Sequence, residues 1–379
     1  MMTPKRPGHS HAAMSLRALN RALLARQLLL TRENMKAARA IEQLVGMQAQ
    51  QAKPPFVGLW SRIAGFKRED LVQPLVAREI VRVTAMRATL HLMSATDYVR
   101  LRPALHAMLL KGMEEILKAR GAGGIDVPRI VGAARRHLAT RAQTFAELRL
   151  ALANEFPGVD ERAMGYAVRT HLPLVQVPTD AEWGFPGAAA FAPAEQWLGR
   201  PIGGKADLEH LVLRYLGAFG PATAADVQAW SAVTGIGEIL ERLRSKLLVF
   251  QDEKGRELFD LPKAPRPDED TGAPVRFVPE YDNLVLAHAD RSRIVADRDR
   301  HRLVTKNLQV KATFLVDGFV AGTWKIERKR ATATVTVEPF APLNKAARAD
   351  LEREGLELLE FVEPDAKAHE VTFGKPVAS

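Results

Sequence analysis

The 379-residue sequence contains no cysteine, which removes disulfides, thiolate-bound zinc, iron–sulfur clusters and a cysteine nucleophile together. Aromatic residues are sparse, at 6%, and form no legible platform for stacking single strands, which argues against an RNA-binding module. No run approaches the roughly 18 uncharged apolar residues of a membrane span, and residues 1–14 lack the apolar core of a signal peptide. A cytoplasmic protein without membrane contact is expected. The ten histidines are scattered; apart from His9 and His11, no two stand at metal-ligand spacing. Neither a metal nor any other cofactor is expected.

What is present is ordinary in amount and uneven in place. Apolar residues at 47% and charged residues at 26% suit a folded chain, and the length suits two or three packed units. The formal charge is +10, but residues 1–150 hold 25 Lys and Arg against 10 Asp and Glu, while residues 151–379 hold 29 against 34. A basic front half points to a polyanion, nucleic acid before membrane.

Apolar periodicity is clearest over residues 205–262. Leu208, Leu211, Val212, Tyr215, Leu216 and Phe219 recur at helical spacing until Gly220-Pro221. Thr223 and Asp226 form a capping box for a second helix, and Ile239, Leu240, Leu243 and Leu247 mark a third. Two short apolar runs around Glu253–Arg256 then read as a hairpin. Three helices followed by a hairpin describe a winged helix. The same order recurs more weakly over residues 126–197, and again over 15–95, where helices near 15–30, 34–48, 56–64 and 69–78 precede the alternating Val81–Leu92. From Val275 onward the period becomes two, with a late helix over Lys345–Glu354. The expected class is therefore α+β: a disordered basic arm (1–14), three tandem winged-helix units (15–96, 97–198 and 199–262), an exposed linker (262–274) and a C-terminal β-barrel (275–379).

Several motifs dissolve on inspection. Residues 199–206, GRPIGGKA, nearly spell a phosphate-binding loop, but Ala206 lacks the hydroxyl for magnesium, Pro201 lacks a donor, and no strand precedes them. The glycines at 121–124 likewise read as a linker. His91, between Leu90 and Leu92, suits a structural histidine. Glu280, Asp282 and Asp290 offer carboxylates for glycosidic chemistry, but acids at a sheet edge are expected to be solvated. More unusual is LVGMQAQQ at 44–51, where an apolar helical stripe runs into three glutamines and then Pro54-Pro55. In a continuing helix Gln48 and Gln50 lie about 200° apart; at a fraying helix end or in an extended exit they can converge.

The blocks LVGMQAQ (44–50), PFVGLWSRI (55–63), MRATLHLMSATDY (86–98), PEYDNLVLAHADRSRI (279–294) and VDGFVAGTWK (316–325) resemble the tandem winged-helix DNA glycosylases of the AlkZ and YcaQ type, across about residues 15–375. The resemblance implies three winged helices and a barrel, and a catalytic motif of Gln, an apolar residue and Gln. Gln48, Ala49 and Gln50 match the AlkZ-like form; the YcaQ-like form ends in Asp. Ala88 departs from the family, where Gly is expected. The implied activity is metal-independent, monofunctional hydrolysis of N7-alkylated purines in double-stranded DNA, with interstrand crosslinks among the candidate substrates. A nucleoid-associated monomer with no protein partner is implied. Because an N7-alkylated purine departs from a cation as a neutral base, no general acid is required, and a glutamine carbonyl can orient the water. Arg and Lys of the front half would grip phosphates, Arg87 among them. The rival reading is a non-catalytic winged-helix DNA-binding regulator, although such regulators usually carry one unit and dimerise.

Overall fold

The computed structural model describes residues 13–307 and 309–376; the basic arm expected over 1–14 lies, except for its last two residues, outside them. The class is α+β. Helix α1 (Leu16–Arg26) begins at Ser15, whose hydroxyl accepts from the Ala18 amide at 3.0 Å. Three short helices follow: α2 (Ala37–Gln43), α3 (Pro54–Trp60) and α4 (Glu69–Val76). Between α2 and α3 lies β1 (Met47–Gln48), so the helix expected over 34–48 stops early. Val45 and Gly46 adopt positive φ and turn the chain out of it.

Strands β2 (Ile80–Thr84) and β3 (Leu90–Ser94) lead into the long α5 (Ala95–Ala119). Next come α6 (Val127–Thr140), β4 (Gln143–Thr144), α7 (Phe145–Glu155), α8 (Glu161–His171), β5 (Leu174–Gln176), β6 (Ala190–Pro193) and α9 (Ala194–Leu198). All six strands form one sheet in the order β1-β3-β2-β5-β6-β4. Arg82 and Val83 of β2 pair with Gln176 and Val175 of β5, which joins the first and second stretches of sequence. Residues 208–260 run as expected through α10 (Leu208–Phe219), α11 (Ala224–Ser231), α12 (Ile236–Leu243) and the hairpin of β7 (Leu248–Gln251) and β8 (Glu257–Asp260). The Thr223–Asp226 capping box is present.

The expected C-terminal barrel is an open sheet instead. Strands β9 (Arg276–Val278), β10 (Thr313–Val316), β11 (Phe319–Lys329), β12 (Thr332–Pro339) and β13 (Ala368–Phe373) lie in the order β13-β12-β11-β10-β9, with β9 and β13 at opposite edges. Helix α13 (Lys345–Val362) is the reason. It carries the chain from β12 across one face and returns it as a strand parallel to β12. Its Leu351, Leu358, Leu359 and Val362 pack on Phe277, Phe314, Trp324, Val335 and Val337. A face covered by a helix has no need to close on itself.

Helix α1 binds these parts together. Its Arg26 forms a two-pronged pair with Asp260 of β8 at 2.7 and 2.8 Å, and both residues are buried. Arg17 and Arg21 reach Asp317 in the β10–β11 turn. The linker is exposed over much of its length, as expected, and is also strapped down: Arg17, Arg21 and Arg26 donate to the carbonyls of Glu269, Thr271 and Pro265. Gly318 closes the β10–β11 turn at φ +80°, and a Cβ there would lie 2.6 Å from Arg21 Nη1 and Leu24 Cδ1.

Gly318→Ala is therefore expected to lower unfolding free energy by about 2–3 kcal/mol, through both the clash and the left-handed backbone. Gly272→Ala in the linker, where nothing lies within 4 Å, should change it by less than about 0.5 kcal/mol. Urea unfolding of the two variants measures the difference.

Candidate active site

The site begins where α2 ends. Val45 (φ 54°) and Gly46 (φ 92°) reverse the chain against β3. A Cβ on Gly46 would sit 3.0 Å from the Leu92 carbonyl and from Met93 Cγ, so only glycine makes this approach without displacement. Met47 and Gln48 then pair antiparallel with Leu92 and His91. The Ala49 amide extends the ladder by donating to the Leu90 carbonyl at 2.7 Å. The chain thus leaves α2 in an extended conformation at Gln48 and bends at Gln50, two residues on. Met47 and Ala49 pack in the apolar cluster of Ile41, Leu44, Phe56 and Leu59. Gln48 is buried and Gln50 exposed. Arg82 fixes the segment from behind, donating to the carbonyls of Ala49 at 2.9 Å and Gln50 at 3.2 Å. Burial lowers the Arg82 pKa to about 10, still charged at neutral pH.

Gln48 is held by Arg87. The guanidinium donates to Gln48 Oε1 at 2.8 Å, Asn283 Oδ1 at 3.0 Å and the Trp230 carbonyl at 2.7 Å. Arg87 thus turns toward the protein, where the sequence reading had it on phosphate. Burial, followed by the neighbouring Arg291 charge, lowers its pKa to about 10. Arg87 and Ala88 both have left-handed backbone, at φ 54° and 57°. The Ala that replaces the expected Gly thus falls where a side chain costs about 1–2 kcal/mol.

Asn283 donates in turn to the Gly46 carbonyl at 3.3 Å. Its neighbour Asp282 is buried and paired with Arg62, whose Nη2 lies 3.0 Å from Asp282 Oδ1. Arg62 also donates to the carbonyls of Gln27 and Gly58, both at 2.9 Å. The solvated acid expected at 282 is therefore a structural anion. Asp290 pairs with Lys254 and Arg256. Glu280 and Asp282 both line a narrow cleft, together with Gly46, Gln48, Pro54 and Asn283. The cleft has room for roughly one water molecule.

His91, opposite Gln48, is fully buried. Its Nδ1 lies 3.1 Å from the Thr89 carbonyl, to which it donates, while Nε2 has no hydrogen-bond partner. Burial and the Arg87 charge push its pKa down to about 3, so the ring is neutral. The loops at 121–124 and 199–206 each follow a helix, α5 and α9, as linkers do. Sequence reasoning missed Arg62 and Asn283; their signal was an acid–amide pair, Asp282-Asn283, set among buried apolar residues. Among the described residues, no cluster of His, Asp or Glu is arranged to hold a metal ion, and no helix is long and apolar enough to cross a membrane.

Three comparisons bear on this arrangement. The sequence profile of the family described as DNA glycosylase AlkZ-like matches residues 41–361. Among solved structures, the Streptomyces sahachiroi DNA glycosylase AlkZ superposes with a TM-score of 0.76 at 18% identity, covering 96% of this chain and 100% of that one. At that identity the likeness is one of fold. No curated protein sequence matches.

Two outcomes follow from the site's burial. The folded-state pKa of His91 lies below its ordinary 6.5, so the unfolded chain takes the proton first. Its contribution is intact above about pH 6.5 and is lost as pH falls toward 3, at about 1.4 kcal/mol per pH unit. His91→Leu should flatten the fall in stability by about that slope between about pH 6 and about pH 4, as read by urea midpoints. Asp282→Ala strands the Arg62 charge and should cost about 3–5 kcal/mol in the same assay at neutral pH.

Proposed function

Because the chain belongs to the AlkZ-like DNA glycosylase family, we propose that Gln48 and Gln50 hold the water that cleaves the N-glycosidic bond of a cationic, N7-alkylated purine in double-stranded DNA. The observation that carries this reading is the Gln48 amide at the border of a water-sized cleft, on an extended segment from which Gln50 follows two residues later, exposed. Amides are poor acids and bases near neutral pH, so they suit a substrate whose leaving group is already activated. The alkylated base departs with the C1′–N9 bonding pair and becomes neutral. Water adds to C1′, and its surplus proton passes to solvent. The protein contributes position and the partial charges of its amides. Undamaged purines, which need protonation to leave, are poor substrates on this account.

The narrow cleft does not have the volume of a nucleobase pocket. The base would therefore stay outside it, and bulky adducts, including interstrand crosslinks, become admissible. In the same reading, the three helix-and-strand stretches are tandem winged helices that hold duplex DNA as a monomer. Support for this is clearest in the order of α10, α11, α12 and the β7–β8 hairpin.

The test uses duplex DNA with a single N7-methylguanine, followed by alkaline cleavage of the abasic product. Wild-type protein should yield the cleaved strand. Gln48→Ala and Gln50→Ala should each keep duplex affinity within about twofold while lowering the rate about 10²-fold. An unchanged rate in the double variant would overturn the assignment.

A further inference from the structure

Arg87 offers only donors, so the group facing it at 2.8 Å must be the Gln48 oxygen and not its NH2. Asn283 is oriented by the same logic: its oxygen accepts from Arg87 and its NH2 donates to the Gly46 carbonyl. The backbone carbonyl of Trp230 fixes the other guanidinium nitrogen. Three acceptors drawn from β1, α11 and the 282–285 turn thus hold one cation, and among the described residues no carboxylate pairs with it. Gln48 Nε2 has no hydrogen-bond partner among the described residues, yet it is not among the buried atoms left unsatisfied. It is the part of that amide left for the cleft, which Gln48 lines.

We infer that Arg87 is a positioning residue which locks the Gln48 amide with its oxygen inward and its NH2 outward, making Gln48 a donor to the attacking water and Gln50 its acceptor. This rests on the reading of the two glutamines given above and divides their labour. A water that attacks through one lone pair has one more lone pair and two O–H bonds to satisfy. Gln48 N–H binds the second lone pair. Gln50, exposed and without a hydrogen bond from its side chain to any described residue, accepts an O–H through its Oε1. The C1′–O bond then forms as C1′–N9 breaks, and the proton leaves from the Gln50 side to solvent.

Single-turnover cleavage of the N7-methylguanine duplex at saturating enzyme tests this, because that rate constant does not depend on the folded fraction. Gln48→Glu keeps an acceptor for Arg87 but loses the NH2, and its rate should fall about 10²-fold, as far as Gln48→Ala. Arg87→Lys replaces a fork by a point charge that cannot serve all three acceptors. Its rate should fall about 10-fold with duplex affinity within about twofold. A Gln48→Glu rate within about threefold of wild type, or an Arg87→Lys rate equal to wild type, would overturn the inference. If instead Gln48→Ala and Gln50→Ala leave the rate unchanged, the underlying assignment of the glutamines is what fails.

Discussion

The buried pair between Arg62 and Asp282 is the constraint on which the site depends. The two side chains are 1% and 4% exposed and join residues 220 positions apart. Arg62 follows α3 and ties it to the Gln27 carbonyl at the end of α1. Asp282 also accepts from the Leu284 amide at 2.9 Å, which shapes the turn carrying Asn283. A buried ion pair adds little net stability over a well-packed apolar pair, since desolvation offsets most of the attraction. What it contributes here is a defined arrangement: the charges are satisfied in only one relative placement of α3 and the 282–285 turn. That placement puts Asn283 between Arg87 and Gly46.

The same consideration changes the meaning of the basic front half. Arg21, Arg26, Arg62, Arg82 and Arg102 are buried, each spent on carbonyls or carboxylates of the protein itself. Part of the positive excess in residues 1–150 is therefore internal fastening, and only the remainder is available to a polyanion. Arginine suits this use because its planar fork serves several acceptors while staying charged. From the sequence alone these residues look like surface cations, because Asp260 and Asp282, the partners of Arg26 and Arg62, lie more than 200 positions away.

Legibility in the sequence followed the range of the interactions involved. The helices and hairpin of residues 208–260 were readable because local periodicity, a capping box and turn residues decide them. A break in the helix before Gln48 was readable as one of two ways the glutamines could converge, and the left-handed pair Val45-Gly46 supplies the break. The open C-terminal sheet was not readable, since strands of period two look alike in a barrel and in a helix-covered sheet. Only the packing of α13 decides between them. Arg87 was legible as important but not in its direction. A cation between β2 and β3 looks suited to phosphate until Trp230 and Asn283 arrive from distant sequence to bind it.

The presence of Arg87 also bears on why amides, and not carboxylates, stand at this strand. A carboxylate at position 48 would be drawn into a two-pronged pair with the guanidinium 2.8 Å away and would spend its charge there. The amide accepts one bond from the arginine and still keeps a polar group for the cleft. Burial chiefly lowers the pKa of Arg87 and of Arg291, and the charges of Arg291 and Arg300 respectively lower them further. Such a run of cations disfavours a developing positive charge on the sugar unless an anion stands nearby. In the proposed reaction that anion is the DNA itself, whose phosphates flank the sugar on both sides. Catalysis by neutral amides is then coherent only on a polyanionic substrate. A free alkylated nucleoside would bring the same activated leaving group without the charge that the site requires.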